Sequence, residues 1–193
     1  MKPFGQIGAF LSAACILLAL LATVKAQPQP PDDPGAIAAF NAIVPVLHNS
    51  RCINCHSVGD FPRVGDDRRP HFMNVKRGPT GHGVNGVLCS TCHQDHNLAG
   101  IHMPPGAPSW GLPPQREPLI WEGLSPHELC ELFKDPARNG HRNLTQIINH
   151  MQTPLISWGW APGEGRAPIP MPRDEFLGHV KDWVAKGGAC PAV

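Results

Sequence analysis

Residues 52–56 read Cys52-Ile53-Asn54-Cys55-His56, and residues 89–93 read Cys89-Ser90-Thr91-Cys92-His93. The same pattern, C-x-x-C-H, occurs twice, with 33 residues between Cys55 and Cys89. Two cysteines three positions apart sit on one side of a short helical turn. Their sulfurs can therefore form thioethers along one edge of a single planar group. The histidine that follows is carried under the centre of that group, where a ring nitrogen can bind its metal. The pattern is the attachment signature of c-type haem.

Three other chemistries use closely spaced cysteines. Zinc takes two C-x-x-C pairs as four thiolates, but the usual gap between pairs is roughly 15–20 residues, and zinc does not need a histidine directly after each pair. A disulfide framework gives no reason for either histidine. A thioredoxin-like redox pair needs a βαβ setting, which neither motif has. The reading is two covalently attached haems. Cys52, Cys55, Cys89 and Cys92 are the attachment residues, and His56 and His93 are the proximal iron ligands.

The rest of the composition fits a chain organised around such groups. Its 193 residues include 23 Pro, 20 Gly, 11 His and 7 Cys, with no Tyr. Pro and Gly together stand at about twice ordinary usage, too much for a coiled coil or a mostly regular fold. Lys and Arg total 16 against 15 Asp and Glu, which excludes a basic nucleic-acid binder. A single long apolar run excludes a multi-span membrane protein. A loop-rich chain of this kind needs more than side chains to build a core.

That apolar run, roughly residues 7–24, follows Met1-Lys2 and precedes Val24-Lys25-Ala26, a small-x-Ala cleavage site. Residues 1–26 read as a secretory signal peptide, with Cys15 in the discarded part. The alternative is an uncleaved anchor, although the run is near the lower limit of about 17–20 residues for spanning a bilayer. Export places the mature chain in the periplasm, where unprotected thiols oxidise, and association with the membrane is expected only if the leader stays uncleaved. Cys130 and Cys190 are then expected to pair.

Residues 27–35 form a Pro-rich linker, Asp33 being able to cap a helix with Pro34 in its first turn. Residues 36–193 form one domain, since 33 residues between the motifs are too few for a separate domain there. Ile37, Phe40, Ile43, Val44 and Leu47 predict a helix that Pro45 should kink or end early. Residues 78–86 look like an ordered Gly-rich loop. Ser125-Pro126-His127-Glu128 is a capping box opening a helix to about Lys134. Leu144, Ile147, Ile148 and Met151 mark another helix. A last helix spans about Arg173 to Lys186, stopped by Gly187-Gly188. The fold class is mainly α: a loop-rich, cytochrome c-like domain with short helices around two haems.

The sixth ligand of each iron decides between electron transfer and catalysis, because a five-coordinate haem can bind gas or activate peroxide. The candidates are His71, between the motifs, and His150, late on an amphipathic helix. Met103 and Met171, both in Pro-rich loops, are alternatives. Each candidate also has a bland reading: a loop histidine, a histidine at a helix C-terminus, or a methionine packed on a porphyrin. Of Trp110, Trp121, Trp158, Trp160 and Trp183, several are expected to pack against the porphyrins and to offer N–H donors to propionates; the alternative is ordinary core, which is as good a reading for Trp183. Arg63, Arg68, Arg69 and Arg77 either neutralise propionates or face solvent.

Together with the export signal, the two motifs resemble a dihaem c-type cytochrome. Over most of the mature chain, His71-Phe72-Met73-Asn74-Val75, the Met103–Pro108 stretch and Trp121-Glu122-Gly123-Leu124-Ser125 are similar to bacterial proteins labelled as a subunit of isoquinoline 1-oxidoreductase. The resemblance implies a redox partner, a molybdenum-containing dehydrogenase of the hydroxylase type, from which the haem protein collects electrons for a downstream acceptor. The chain itself is then a non-catalytic subunit. The contrasting expectation is a haem enzyme or sensor, peroxidase-like or gas-binding, with one open iron site.

Overall fold

The computed structural model describes residues 32–193, so the signal peptide and residues 27–31 of the linker lie outside the described residues. The first helix, α1 (Asp33–Leu47), begins three residues before the sequence places it. Asp33, Pro34 and Gly35, assigned above to the linker, form its first turn. Its cap is Asp32, whose carboxylate accepts from Gly35 N–H at 3.0 Å. Helix α1 also runs through Pro45 instead of ending there. The proline removes one helical hydrogen bond near the end of the helix, and the burial of Val46 and Leu47 holds the final turn.

A one-turn helix, α2 (Ser50–Ile53), leads into the first motif. The loops between the motifs hold two small antiparallel hairpins, β1 (Arg63–Val64) with β2 (Arg69–Pro70) and β3 (Gly83–Val84) with β4 (Val87–Leu88). The second hairpin sits where the sequence predicts only a Gly-rich loop. Its turn is Asn85-Gly86, a pair that favours a tight two-residue connection, and Gly86 has φ +88°. Strand β4 ends directly at Cys89.

Helices α3 (Pro126–Lys134), α4 (Leu144–Met151), α5 (Pro154–Ser157) and α6 (Arg173–Ala185) complete the regular structure. The capping box of α3 is present, and α4 has a second one formed by Asn143 and Gln146. Gly188 N–H donates to Trp183 O at 2.9 Å and Gly187 N–H to Val184 O at 3.1 Å. This pair of bonds closes α6 as a Schellman motif, and both glycines have positive φ.

The core lies where α1, α3 and α6 meet. Asp32 N–H at the start of α1 donates to Lys186 O at the end of α6, so the two helices run in opposite directions. Phe40 packs against Trp183 at 5.1 Å and Phe133 at 6.2 Å between ring centroids. Cys130 on α3 is disulfide-bonded to Cys190 beyond α6. His127 Nδ1 lies 2.7 Å from the Pro191 carbonyl, which anchors the same tail. Among the described residues no helix is long and apolar enough to cross a membrane.

The disulfide spans 60 residues of sequence. Replacing both cysteines, Cys130→Ala with Cys190→Ala, is expected to lower unfolding free energy by about 2–4 kcal/mol. Urea unfolding of the two proteins at equal pH measures it.

Candidate functional site

The two C-x-x-C-H motifs fold into the same local turn. In the first, Cys55 N–H and His56 N–H both donate to the Cys52 carbonyl, at 3.1 and 3.2 Å. In the second, Cys92 N–H and His93 N–H both donate to the Cys89 carbonyl, at 3.2 and 2.9 Å. Asn49 caps the first turn through Arg51 N–H at 2.9 Å. The β3–β4 hairpin supports the second, with Cys89 N–H donating to His82 O at 3.0 Å.

Each motif histidine is held in the same way. His56 Nδ1 lies 2.7 Å from the Leu119 carbonyl and His93 Nδ1 lies 2.6 Å from the Pro105 carbonyl. A carbonyl only accepts, so Nδ1 carries the proton and Nε2 is left as a lone-pair donor, the arrangement typical of metal-binding histidines. Each ring also stacks on a tryptophan. His56 lies 3.5 Å from Trp121 at an interplanar angle of 3°, and His93 lies 4.8 Å from Trp110 at 9°. Burial disfavours the charged imidazole and outweighs the carbonyl bond, taking His56 down to about 3 and lowering His93 as well. Burial likewise pushes the thiols up, Cys52 to about 12 and Cys55 to about 11. The four motif cysteines are free and are not paired with one another. Among the described residues no three His, Cys, Asp or Glu side chains gather into one metal-binding group.

A second histidine accompanies each of these. The rings of His71 and His93 are 6.2 Å apart, inclined at 64°. His71 Nδ1 lies 2.8 Å from Phe72 O, which again leaves Nε2 as the free donor. His150 lines the same cavity as His56, and its charge lies near enough to lower the basicity of His56. Burial and the Arg142 charge take His150 itself down to about 4. Helix α4 produces this placement: Ile147 and Met151 are buried in the core, and His150 lies one position round the helix from them.

The cavity has a volume of about 430 Å³ and is lined by Cys52, Cys55, His56, His150 and Arg51 among others. That is within the range of small-molecule and cofactor sites. Trp110, which stacks on His93, also lines it and meets Trp158 edge-on at 4.9 Å. Asn97 ties the same two regions together. Its side-chain oxygen accepts from Trp158 Nε1 at 2.9 Å and from Gly106 N–H at 3.0 Å. Gly106 lies so close to the carbonyls of Gln94 and His96 that a side chain would collide with them. That close approach brings Pro105 to His93.

The other candidates sit elsewhere. Met171 packs against the helical core and Met103 is exposed. Neither lines the cavity with His56. Met103 belongs to the loop whose Pro105 carbonyl bonds Nδ1 of His93. Arg68 and Arg63 face Glu122, at 2.7 and 3.8 Å, and Arg69 faces Asp67 at 3.6 Å. Arg77 is fully buried, donating to Pro113 O at 2.9 Å. Arg51, which sequence reasoning did not single out, pairs with Asp66 and lines the cavity. Trp183 is core, as one of its two readings had it, and its Nε1 donates to Ala189 O at 3.2 Å.

The backbone carbonyls of Leu119 and Pro105 were beyond reach of sequence reasoning, because any residue carries one. The pairing of Trp110 and Trp121 with the motif histidines was also missed. Glu122, directly after Trp121, is a further omission. Its carboxylate accepts from Val58 N–H at 2.8 Å and from Arg68 at 2.7 Å, locking the segment that stacks on His56. No known protein family, curated protein or solved structure matches the chain.

Burial of Glu122 opposes ionisation, but the Val58 N–H and the Arg68 and Arg63 charges together hold its carboxyl below the ordinary value of 4.5. Its stabilising contribution is therefore complete above pH 4.5 and is lost as pH falls through the depressed value. Glu122→Gln should cost about 1–2 kcal/mol at pH 7 and flatten the acid limb of the stability profile below pH 4.5. Denaturant titrations at stepped pH measure both.

Proposed function

We propose that this chain is a periplasmic dihaem c-type cytochrome that carries electrons from a dehydrogenase, of the molybdenum hydroxylase type that the sequence resemblance implies, to a downstream acceptor. The observation that carries the reading is the repeated histidine arrangement. Each C-x-x-C-H histidine is held neutral, with Nδ1 on a backbone carbonyl and Nε2 free, and each has a second histidine beside it. When bound, haem supplies one-electron Fe(III)/Fe(II) cycling.

The residues present fit that group. Cys52 and Cys55, and Cys89 and Cys92, would hold one each through thioethers. His56 and His150 would hold one iron, and His93 and His71 the other. The Nε1 of Trp121 and the Nε of Arg51 are buried without hydrogen-bond partners, and both residues line the cavity. They are donors suited to a carboxylate such as a haem propionate. Stacking of Trp121 and Trp110 keeps the rings of His56 and His93 from turning, and the carbonyls of Leu119 and Pro105 raise the electron density the rings can donate.

Histidine on both sides of an iron favours a lower potential than a histidine–methionine pair. It also leaves no open position for peroxide or gas, which separates a carrier from a haem enzyme or sensor. The partner contact expected of a carrier is small and transient.

Protein made in a host that attaches c-type haem is expected to show two low-spin haems by visible and EPR spectroscopy, unchanged by carbon monoxide. His71→Ala and His150→Ala should each turn one haem high-spin and able to bind carbon monoxide. Met103→Ala and Met171→Ala should leave both spectra as they are. A native protein without haem absorbance, or with rapid carbon monoxide binding, counts against the proposal.

A further inference from the structure

The two motifs differ in their surroundings. His56 is buried and lines a solvent-connected cavity together with His150. The second motif lies at the surface: Ser90, Thr91 and Cys92 are exposed, and so are residues 94–96. Large apolar side chains are also exposed around it. Phe72 is 65% exposed, Met73 68% and Ile101 71%, with Leu88 and Met103 exposed as well. Each sits within a few residues of an atom that fixes this motif. Phe72 and Met73 follow His71, Leu88 precedes Cys89, and Ile101 and Met103 precede Pro105. The last loop is ordered, since Arg166 donates to Met103 O at 2.7 Å and His102 N–H donates to Glu164 O at 3.1 Å. Near the first motif the corresponding exposed apolar residue is Val58.

We infer that the second motif seats its haem on an open apolar shelf formed by Phe72, Met73, Leu88, Ile101 and Met103, and that this haem is the one presented to a redox partner, the first being internal. The inference rests on the dihaem reading above. Apolar side chains of this size gain by being covered, and each lies within four residues of His71, Cys89 or Pro105. Trp110, beside His93 and in the wall of the first cavity, places the two sites next to each other.

The test uses the intact holoprotein, reduced, and ferricyanide, a bulky anionic oxidant that takes one electron from each ferrous haem and becomes ferrocyanide. A positive charge beside the exposed haem should attract it. Gln94→Lys, directly after His93, is expected to raise the bimolecular rate constant about threefold at low salt. The gain should fade near 1 M salt. Val58→Lys, two residues after His56, should leave the rate within about 1.5-fold, and neither change should move the midpoint potentials. An equal or larger response to Val58→Lys overturns the inference.

Hydroxyl-radical footprinting gives a readout independent of electron transfer. Met73 and Met103 should oxidise about threefold faster in a Cys89→Ser/Cys92→Ser variant, which keeps the first attachment site, than in the native holoprotein. Equal oxidation in the two proteins overturns the shelf. Absence of haem from the native protein would instead defeat the dihaem reading itself, and absorbance reveals that before either variant is made.

Discussion

Two short hydrogen bonds, from His56 Nδ1 to the Leu119 carbonyl and from His93 Nδ1 to the Pro105 carbonyl, organise the chain between its helices. They join residues 63 and 12 positions apart. Each fixes the tautomer and direction of a ring that would otherwise rotate freely about two torsions. Each also recruits a Pro-rich stretch as a scaffold. Proline has few conformations to lose, so ordering such a stretch costs less entropy than ordering ordinary loop. Residues 104–108 and 113–118, poor material for helix or sheet, are suited to holding a carbonyl in one place.

A second layer makes these bonds dependable. Trp121 N–H donates to His56 O at 2.9 Å while its ring stacks on the same residue. Glu122 then clamps Val58 on the far side of the motif. At the other site Asn97 bridges Gly106 and Trp158, so the loop behind His93 and the wall of the first cavity share one amide. Displacing either segment would therefore strain the other.

The helical core stands to one side and serves as a frame. Helices α1, α3 and α6 bury Phe40, Phe133 and Trp183 and are stapled by the Cys130–Cys190 disulfide. Helix α4 links frame and site, turning Ile147 and Met151 inward while His150 faces the cavity.

From the amino-acid sequence alone came the two motifs, the capping box at Ser125, the stop at Gly187-Gly188 and the choice of His71 and His150 as histidines to watch. These are local signals, written in spacing and in residue types with special backbone or donor properties. The Asn85-Gly86 hairpin was legible in the same way and went unread. Helix α1 starts earlier than read, at Asp33 under its Asp32 cap, and it does not end at Pro45 because burial of Val46 and Leu47 outweighs one lost hydrogen bond. Only the tertiary structure decided that His150 shares a cavity with His56, that the rings of His71 and His93 come within 6.2 Å, and that Met103 and Met171 lie outside that cavity. It alone chose the Leu119 and Pro105 carbonyls, buried His56 and left the second motif at the surface. Such relations join residues 12 to 94 positions apart, and no spacing rule along the chain encodes which distant loop will supply a carbonyl or an indole.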